Sequence, residues 1–444
     1  MTFSSTESPD IHVSFHDAVF SGLAPDGGLY VPIEEPDLKR LFLGFPADGS
    51  FVEMAELMIG ALFGSDIAGR SPAAIARSAF PFAPVMRPLT PQIELLELFH
   101  GPSCAFKDFG ASFLATILEV YLDGTDRRAT ILTATSGDTG SAVAQAFYGK
   151  KNIDVVVLYP SGRVSPLQEK QLTTVGGNVL ALEVEGTFDD CQRMVKQAFQ
   201  DRDLTDRFHL TSANSINLGR LLPQSFYYAF AWCVSHAGFA GDFLFSVPSG
   251  NFGNLTAGVY AWLWGLPVDR FIAATNKNDI IPEYLRTGVF KPRASVPTLS
   301  NAMDVGNPSN FERLRAVFRD DLMDIRTMIH GVSVSDDETV ATMRRHYTRS
   351  NIVLDPHTAT AVCAAEKMIE SEYGATEHDG SVKIVVVSTA HPGKFGEVVY
   401  DALGIKPDIP ERLLDALEKE KQSVVIGPDK SDLARVLSAT RRTA

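Results

Sequence analysis

Two segments of the chain combine glycines with small polar residues in a pattern that could bind an anion. Residues 135–140 read Thr-Ser-Gly-Asp-Thr-Gly, and residues 249–254 read Ser-Gly-Asn-Phe-Gly-Asn. Each segment lies between a short apolar run and a helix-like stretch, which predicts a strand-to-helix junction. Backbone N–H groups and a helix N-terminus at such a junction can hold a phosphate or a carboxylate. A plain tight turn is the alternative for either segment alone, and neither matches a nucleotide-binding glycine pattern.

A lysine with apolar neighbours is the second feature that could do chemistry. Lys107 lies within the sequence His-Gly-Pro-Ser-Cys-Ala-Phe-Lys-Asp-Phe-Gly, residues 100–110. Most lysines are solvated surface residues. An apolar setting instead favours the neutral amine, which is the form that attacks a carbonyl to make a Schiff base. Lys107 is therefore a candidate nucleophile.

Strands that alternate with helices from about residue 96 onward would position these residues. Continuous apolar runs predict buried parallel strands at residues 129–135, 153–159, 243–247, 271–275 and 384–389. Ligands of such sheets bind at the carboxyl ends of the strands, where both glycine-rich segments begin. The sequence thus predicts an α/β fold with its site at that edge.

The two ends of the chain differ from this middle part. Residues 1–95 predict a separate opening unit with turn chemistry at residues 22–30, a helix near residues 51–63 and prolines that mark its boundary. Residues from about 407 to 444 predict charged surface helices.

Composition excludes several classes of protein. The formal net charge is -14 over 444 residues, which argues against a protein that binds the nucleic-acid backbone. The four cysteines are scattered and form no metal or disulfide pattern, so we expect no metal site. No apolar run approaches a membrane span and no secretory signal is visible, so we expect a cytoplasmic protein without a membrane partner.

Eight segments of the chain resemble, in the same order, the motifs of threonine synthases. The lysine segment at residues 100–110 and both glycine-rich segments are among them. The others are Gly-Leu-Ala-Pro-Asp-Gly-Gly-Leu-Tyr-Val-Pro at 22–32, Gly-Arg-Val-Ser-Pro-Leu-Gln at 162–168, Asn-Ser-Ile-Asn-Leu-Gly-Arg-Leu-Leu-Pro-Gln at 214–224, Asp-Pro-His-Thr-Ala at 355–359 and Ser-Thr-Ala-His-Pro-Gly-Lys-Phe at 388–395. The chain is similar to the bacterial and fungal branch of that family.

The resemblance implies a fold and a reaction. The fold is a tryptophan-synthase-β-like parallel-sheet core of fold type II in two subdomains, residues 96–400, with an N-terminal domain at residues 1–95 and a C-terminal helical extension at residues 401–444. The implied reaction converts O-phospho-L-homoserine and water to L-threonine and phosphate with pyridoxal 5'-phosphate as cofactor. The chain is expected to be a monomer or a homodimer.

The resemblance also implies residue roles. Lys107 would form the Schiff base with the cofactor and move protons on the substrate. The cofactor would be bound by Asp138, Gly250, Asn251, Phe252, Gly253, Asn254 and Thr389, with Thr389 at the pyridine nitrogen. Asp138 could donate to the ring oxygen of the cofactor only if protonated. The α-carboxylate of the substrate would be bound by Thr135, Ser136 and Thr139. The phosphate of the substrate would be bound by Arg163, Ser165, Asn214, Asn217 and Arg220.

The chain departs from the family's motifs at one place, and the sequence alone leaves several alternative functions open. Where the family branch commonly has Ser-Thr-Arg-Gly, this chain has Ser-Thr-Glu-Ser at residues 5–8. A related phospholyase that releases phosphate, ammonia and 2-ketobutyrate would share Lys107 and both glycine-rich segments. A serine or threonine dehydratase and an inactive binding protein for a phosphorylated amino acid are the more distant alternatives.

Overall fold

The computed structural model describes residues 1–67, 69–135, 137–374 and 380–440, which form fourteen strands and twenty α-helices. The strands are β1 Thr2–Ser5, β2 Val13–Ser14, β3 Tyr30–Pro32, β4 Val85–Pro88, β5 Ile93–Glu97, β6 Ala129–Ala134, β7 Ile153–Pro160, β8 Val179–Val184, β9 Leu210–Thr211, β10 Asp242–Pro248, β11 Arg270–Thr275, β12 Ile329–Ser333, β13 Val382–Ser388 and β14 Val424–Ile426.

The helices connect and cover these strands. They are α1 Phe15–Ser21, α2 Lys39–Gly44, α3 Phe51–Phe63, α4 Pro72–Ala79, α5 Lys107–Leu122, α6 Asp138–Phe147, α7 Pro166–Thr173, α8 Phe188–Gln200, α9 Arg202–Phe208, α10 Leu218–Leu221, α11 Ser225–Ser235, α12 Gly253–Leu263, α13 Ile280–Thr287, α14 Phe311–Val317, α15 Leu322–Met328, α16 Asp336–Ser350, α17 Pro356–Met368, α18 Gly396–Leu403, α19 Glu411–Glu418 and α20 Lys430–Thr440. Shorter 3-10 or π turns lie at Leu222–Gln224, Asn301–Met303, Ile369–Tyr373 and Pro392–Phe395.

The larger of two parallel sheets has six strands in the order β12-β11-β10-β13-β5-β4, and β4 runs antiparallel to β5 at one edge. The central strands β10 and β13 are parallel and buried along nearly their whole length. Strands buried on both faces are apolar without alternation, which is why their sequences are continuous runs of Val, Ile, Leu and Phe. Both strands end at the same edge, β10 just before residues 249–254 and β13 just before Thr389.

The second parallel sheet has five strands in the order β14-β8-β7-β6-β9. All six residues of β6 are buried, and the strand leads directly into residues 135–140. Strand β7 leads into residues 161–165 in the same way. The polar loops at the carboxyl ends of the strands therefore come from both sheets. Residues 249–254 and Thr389 follow strands of the first sheet, and residues 135–140 and 161–165 follow strands of the second.

The opening part of the chain packs on the helix that carries Lys107. Strands β2, β1 and β3 form a small antiparallel sheet, and α3 begins at a capping box made by Ser50 and Glu53. Phe51 of α3 makes an edge-on ring contact with Phe109 of α5, and Phe63 packs against Phe113. Burial of these rings stabilises the packing of α5 against the opening part of the chain.

The α/β prediction and the five predicted strands are confirmed, with ends that differ by one or two residues. The predicted helix near residues 51–63 is α3. The other strands were not predicted from the sequence. Among them are β8 and β12 in the two parallel sheets, β5, which lies among prolines, and β14, which divides the charged C-terminal segment. Strand β14 pairs with β8, so residues 401–440 are not purely helical. The strand was missed because it is three residues long and Val424 and Val425 are exposed. In the part of the chain that the structure describes, no helix is long and apolar enough to cross a membrane.

Candidate active site

Lys107 is the first residue of α5, and its amine lies within a cluster of other charged groups. The side chain is 18% exposed, and Nζ lies 4.7 Å from the centre of the Phe106 ring. Burial lowers the pKa of the Lys107 ammonium to about 8, although Asp138 opposes this shift. The structure therefore gives Lys107 a property that favours nucleophilic chemistry, an amine that loses its proton at a lower pH than an ordinary lysine does.

The loop before Lys107 is fixed by contacts to the end of β13. The Phe106 N–H donates to the carbonyl of Thr389 at 2.8 Å, and the His391 N–H donates to the carbonyl of Cys104 at 3.1 Å. Cys104 itself has a left-handed backbone with a φ of 56°. These backbone contacts bring the predicted residue Thr389, which is buried, next to the lysine loop.

Asp138 at the start of α6 lies against Lys107 from the other sheet. Its Oδ2 is 3.8 Å from Lys107 Nζ, and its Oδ1 is 2.7 Å from Lys394 Nζ. Burial alone would raise the pKa of Asp138, but the ammonium groups of Lys394 and Lys107 outweigh burial and hold the pKa below its usual range. The carboxyl is thus ionised and accepts hydrogen bonds, so the condition under which it could donate to a ring oxygen is not met.

The remaining predicted residues of this junction shape the loop. Thr135 is buried, and its Oγ1 accepts from the N–H groups of Gly137 and Gly140 at 3.0 Å each. Thr139 is half-buried. Ser136, which was predicted to bind the substrate, lies outside the described residues.

The second junction, residues 250–254, joins the end of β10 to the first turn of α12. Asn251 donates to Ser215 Oγ at 2.9 Å and accepts from the Ser309 N–H at 2.7 Å. Phe252 has a left-handed backbone with a φ of 61°, which turns the chain into the helix. A Cβ on Gly253 would lie 3.2 Å from both Asn310 Nδ2 and Ser215 Cβ, so the backbone here is closely packed by its neighbours.

Neutral side chains also surround Asn254, the last residue of this segment. Its Oδ1 accepts from the hydroxyls of Tyr227 and Tyr228 at 2.7 Å each. Among the described residues, Asn254 Nδ2 is one of the buried polar atoms without a hydrogen-bond partner. A buried donor of this kind has a hydrogen bond left to give to a ligand.

The five candidates for binding the substrate phosphate fall into two groups. Arg220 and Asn217 are buried, and burial lowers the pKa of Arg220 to about 10. Asn217 caps α10 and donates to the carbonyls of Val19 and Ser212, which are internal contacts. Asn214 is half-buried and accepts from Thr133.

The other two candidates lie in the loop after β7. Arg163 is exposed, and Ser165 caps α7 by accepting from the Gln168 N–H. The structure therefore does not bring Arg163 into the buried cluster around Lys107.

Sequence reasoning missed three residues that the structure places in or around the site. Lys394 and Gln168 both contact Asp138 Oδ1, at 2.7 and 2.9 Å. Arg313 is completely buried and donates to Asn310 and to the carbonyls of Tyr30, Ser215 and Ile216. Lys394 and Gln168 lie inside segments already singled out by their resemblance, so those motifs could have revealed them. Arg313 lies in none of those segments.

Comparisons with known proteins agree with this geometry. The chain matches three family models. They are "Pyridoxal-phosphate dependent enzyme" over residues 95–390, "Threonine synthase N terminus" over residues 2–80 and "Threonine synthase, C-terminal" over residues 358–437. The threonine synthase of Serratia marcescens is 42% identical over 402 residues, which are 90% of each chain.

Two solved structures are similar over nearly the whole chain. The threonine synthase of Escherichia coli has a TM-score of 0.89 and 39% identity, covering 99% of this chain and 100% of that one. The threonine synthase of Brucella melitensis, solved with pyridoxal phosphate bound, has a TM-score of 0.90 and 35% identity, covering 99% of each chain. The chain belongs to the threonine synthase family of pyridoxal-phosphate-dependent enzymes.

Proposed function

We propose that the chain converts O-phospho-L-homoserine and water to L-threonine and phosphate. The observation that carries this proposal is Lys107, a mostly buried lysine whose pKa is lowered to about 8, in a chain that matches threonine synthases over nine tenths of its length. Burial and nearby charge are the means by which enzymes prepare a lysine for covalent chemistry at neutral pH.

The residues present fit pyridoxal phosphate. Lys107 would attach the cofactor, residues 250–254 would hold its phosphate and Thr389 would face its ring nitrogen. The unpartnered donor Asn254 Nδ2 and the helix N-terminus at Gly253 support the phosphate assignment, because N–H donors suit a dianion. When bound, the cofactor supplies an electron sink for the pair left behind as the substrate loses its Cα proton.

The chain's own residues would orient the substrate and move its protons. The Lys107 amine would take and return protons at the substrate carbons, which requires that it pass between its charged and neutral forms. Thr135, Ser136 and Thr139 would hold the α-carboxylate at the junction after β6. Of the phosphate candidates, the structure favours Arg220, because a buried guanidinium near Lys107 acts in a low dielectric.

The alternative reaction is release of phosphate with 2-ketobutyrate and ammonia as the other products. It would use the same lysine and the same loops, so it differs in where water enters rather than in which residues bind. The similarity to threonine synthases over nine tenths of the chain favours threonine as the product.

We further propose that the chain has a separate N-terminal domain at residues 1–95, a catalytic core at residues 96–400 and a C-terminal extension at residues 401–444. The family models over residues 2–80 and 95–390 support the first boundary and the length of the core. The C-terminal model begins at residue 358 and so overlaps the proposed core before it continues into the extension. We also propose that the chain acts in the cytoplasm on a small molecule, as a monomer or homodimer and without nucleic acid. The net charge of -14 supports the absence of a nucleic-acid partner.

An assay with O-phospho-L-homoserine tests the proposed reaction. Phosphate, threonine and 2-ketobutyrate would be measured together for the purified holoenzyme and for Lys107→Ala. We expect equal amounts of phosphate and threonine from the parent and neither from the variant. Phosphate matched by 2-ketobutyrate would identify the phospholyase reaction, and no phosphate release would reject both.

A further inference from the structure

Lys394 has no role in the proposed reaction, although it lies inside the site. Its side chain is 0% exposed, and its Nζ lies 2.7 Å from Asp138 Oδ1. The same ammonium donates to the carbonyl of Ser103 at 2.8 Å, in the loop that leads to Lys107. Burying an ammonium is costly unless it is paired and hydrogen-bonded, so these two contacts hold Lys394 in one place.

Asp138 divides its two oxygens between two lysines. Oδ1 binds Lys394 at 2.7 Å and accepts from Gln168 Nε2 at 2.9 Å, whereas Oδ2 lies 3.8 Å from Lys107 Nζ. The ion pair with Lys394 is therefore the closer one. Lys107 is left with a longer and weaker contact to the same carboxylate.

We propose that Lys394 is a positioning residue that binds Asp138 and prevents this carboxylate from closing on Lys107. Without Lys394, the attraction between opposite charges would draw Asp138 onto the Lys107 nitrogen, which would then hold its proton more tightly. That nitrogen must give up its proton to attack a carbonyl and to take a proton from a substrate. This inference rests on the proposed role of Lys107 as the cofactor lysine.

Four charged groups act on the Lys107 nitrogen, and the proposal concerns two of them. They are Asp138 from α6, Arg220 from α10, Lys394 from the turn before α18, and Asp108 on the same helix as Lys107. Burial lowers the pKa of Lys107 most, Asp138 raises it, and Arg220 and Lys394 lower it further. Removal of Lys394 should thus raise the pKa of the nitrogen, and removal of Asp138 should lower it.

A pH titration of the holoenzyme's visible cofactor absorption tests the proposal without relying on activity. The midpoint of that titration reports the proton on the Lys107 nitrogen. We expect Lys394→Met to move the midpoint up by about one pH unit or more, since a nearby charge shifts a pKa by roughly 1–3 units. We expect Asp138→Asn to move the midpoint down and Lys394→Arg to keep it near the parent's value.

The matched control is Lys383→Met, because Lys383 also pairs with a carboxylate and a carbonyl but lies at the other end of β13. Its Nζ is 3.4 Å from Glu94 Oε1 and 2.7 Å from the carbonyl of Ser235. We expect the parent's midpoint in this variant. An unchanged midpoint in a folded Lys394→Met variant would overturn the proposal.

Two further results keep the test decisive. If Lys394→Met does not fold, the Asp138→Asn variant decides, and a midpoint at or above the parent's overturns the proposal. Peptide mapping after borohydride reduction separates this inference from the proposed function. Cofactor on a lysine other than Lys107 overturns both, whereas cofactor on Lys107 with unmoved midpoints overturns the role of Lys394 alone.

Discussion

The loop after β6 and the loop after β10 both connect a buried parallel strand to a helix, and both are rich in glycine and small polar residues. They differ in the groups around them. The loop after β6 carries Asp138, which contacts Lys107, Lys394 and Gln168. The loop after β10 contacts the neutral side chains of Ser215, Ser309, Asn310, Tyr227 and Tyr228. The buried Arg313 donates to Asn310 and to the carbonyl of Ser215, not to the loop itself.

This difference in surrounding charge agrees with the role that we propose for each loop. Charged groups whose pKa values are shifted by their neighbours are suited to moving protons, as around Lys107 and Asp138. Backbone N–H and amide donors do not titrate near neutral pH, so they can hold a phosphate whatever the protonation state of the site. The same sequence pattern thus supports two different functions, and the side chains packed around each loop distinguish them.

The largest expected effect comes from placing a charge in the neutral loop. Gly253→Asp adds a carboxylate where a Cβ would already lie 3.2 Å from Asn310 Nδ2 and Ser215 Cβ. It would repel the cofactor phosphate and push the N–H donors away, and each lost hydrogen bond to a charged group costs about 1.5–3 kcal/mol. We expect the cofactor Kd to rise at least about a hundredfold through loss of two such bonds.

Gly253→Asn is the control for this change, because it has nearly the same size without the charge. Cofactor affinity would be measured by equilibrium titration of both variants. A Gly253→Asp variant that retains the cofactor with the parent's affinity would show that the loop after β10 does not hold the phosphate.

A smaller effect should appear in the pH dependence of stability, through Asp108 beside the charged loop. Burial raises the pKa of Asp108 from 3.8 to about 6 in the folded chain. Between these values the folded state binds more protons than the unfolded state, so the free energy of unfolding falls as pH rises from 4 to 6. We expect this loss to be about 2 kcal/mol and to disappear in Asp108→Asn, which keeps an acceptor for the Ser103 N–H.

Urea unfolding at several pH values measures this effect, with the exposed Asp123→Asn as control. Parent-like pH dependence in Asp108→Asn would mean that the proton is bound elsewhere.

The smallest effect is expected at Arg163, which lies outside the charged cluster around Lys107. The residue is exposed, so water screens any contact with a substrate phosphate. We expect Arg163→Met to lower kcat/KM for O-phospho-L-homoserine by at most about fivefold and to leave cofactor occupancy unchanged, since an exposed ion pair is worth about 0–1 kcal/mol. The exposed Arg193→Met should behave as the parent. An unchanged kcat/KM in Arg163→Met would direct the same test to Arg220.

The sequence predicted the strands and the two loops because their signals are local. Five apolar runs and two glycine-rich segments are each visible within about ten residues. The charged cluster could not be predicted in the same way, because Lys107, Asp138 and Lys394 come from distant parts of the chain and are neighbours only in the folded structure. For the same reason the sequence could not distinguish a donating Asp138 from the ionised carboxylate that the two lysines create.

The burial of individual residues could not be predicted from the sequence either. Arg163 and Arg220 both lie in motif segments that resemble those of threonine synthases, but the first is exposed and the second is buried. Arg313 offered no local signal, because its role depends on carbonyl groups from Tyr30, Ser215 and Ile216. Contacts between distant segments, rather than residue type, decide these positions.

The most direct test of the account is to find which lysine carries the cofactor. Borohydride reduction of the holoenzyme fixes pyridoxal phosphate to its lysine, and mass spectrometry of the peptides then locates it. The two candidates are close, since Lys107 and Lys394 both contact Asp138. We predict that the label lies on Lys107 alone. A label on Lys394, or on a lysine outside the site, would contradict the division of roles between the two lysines and between the two loops.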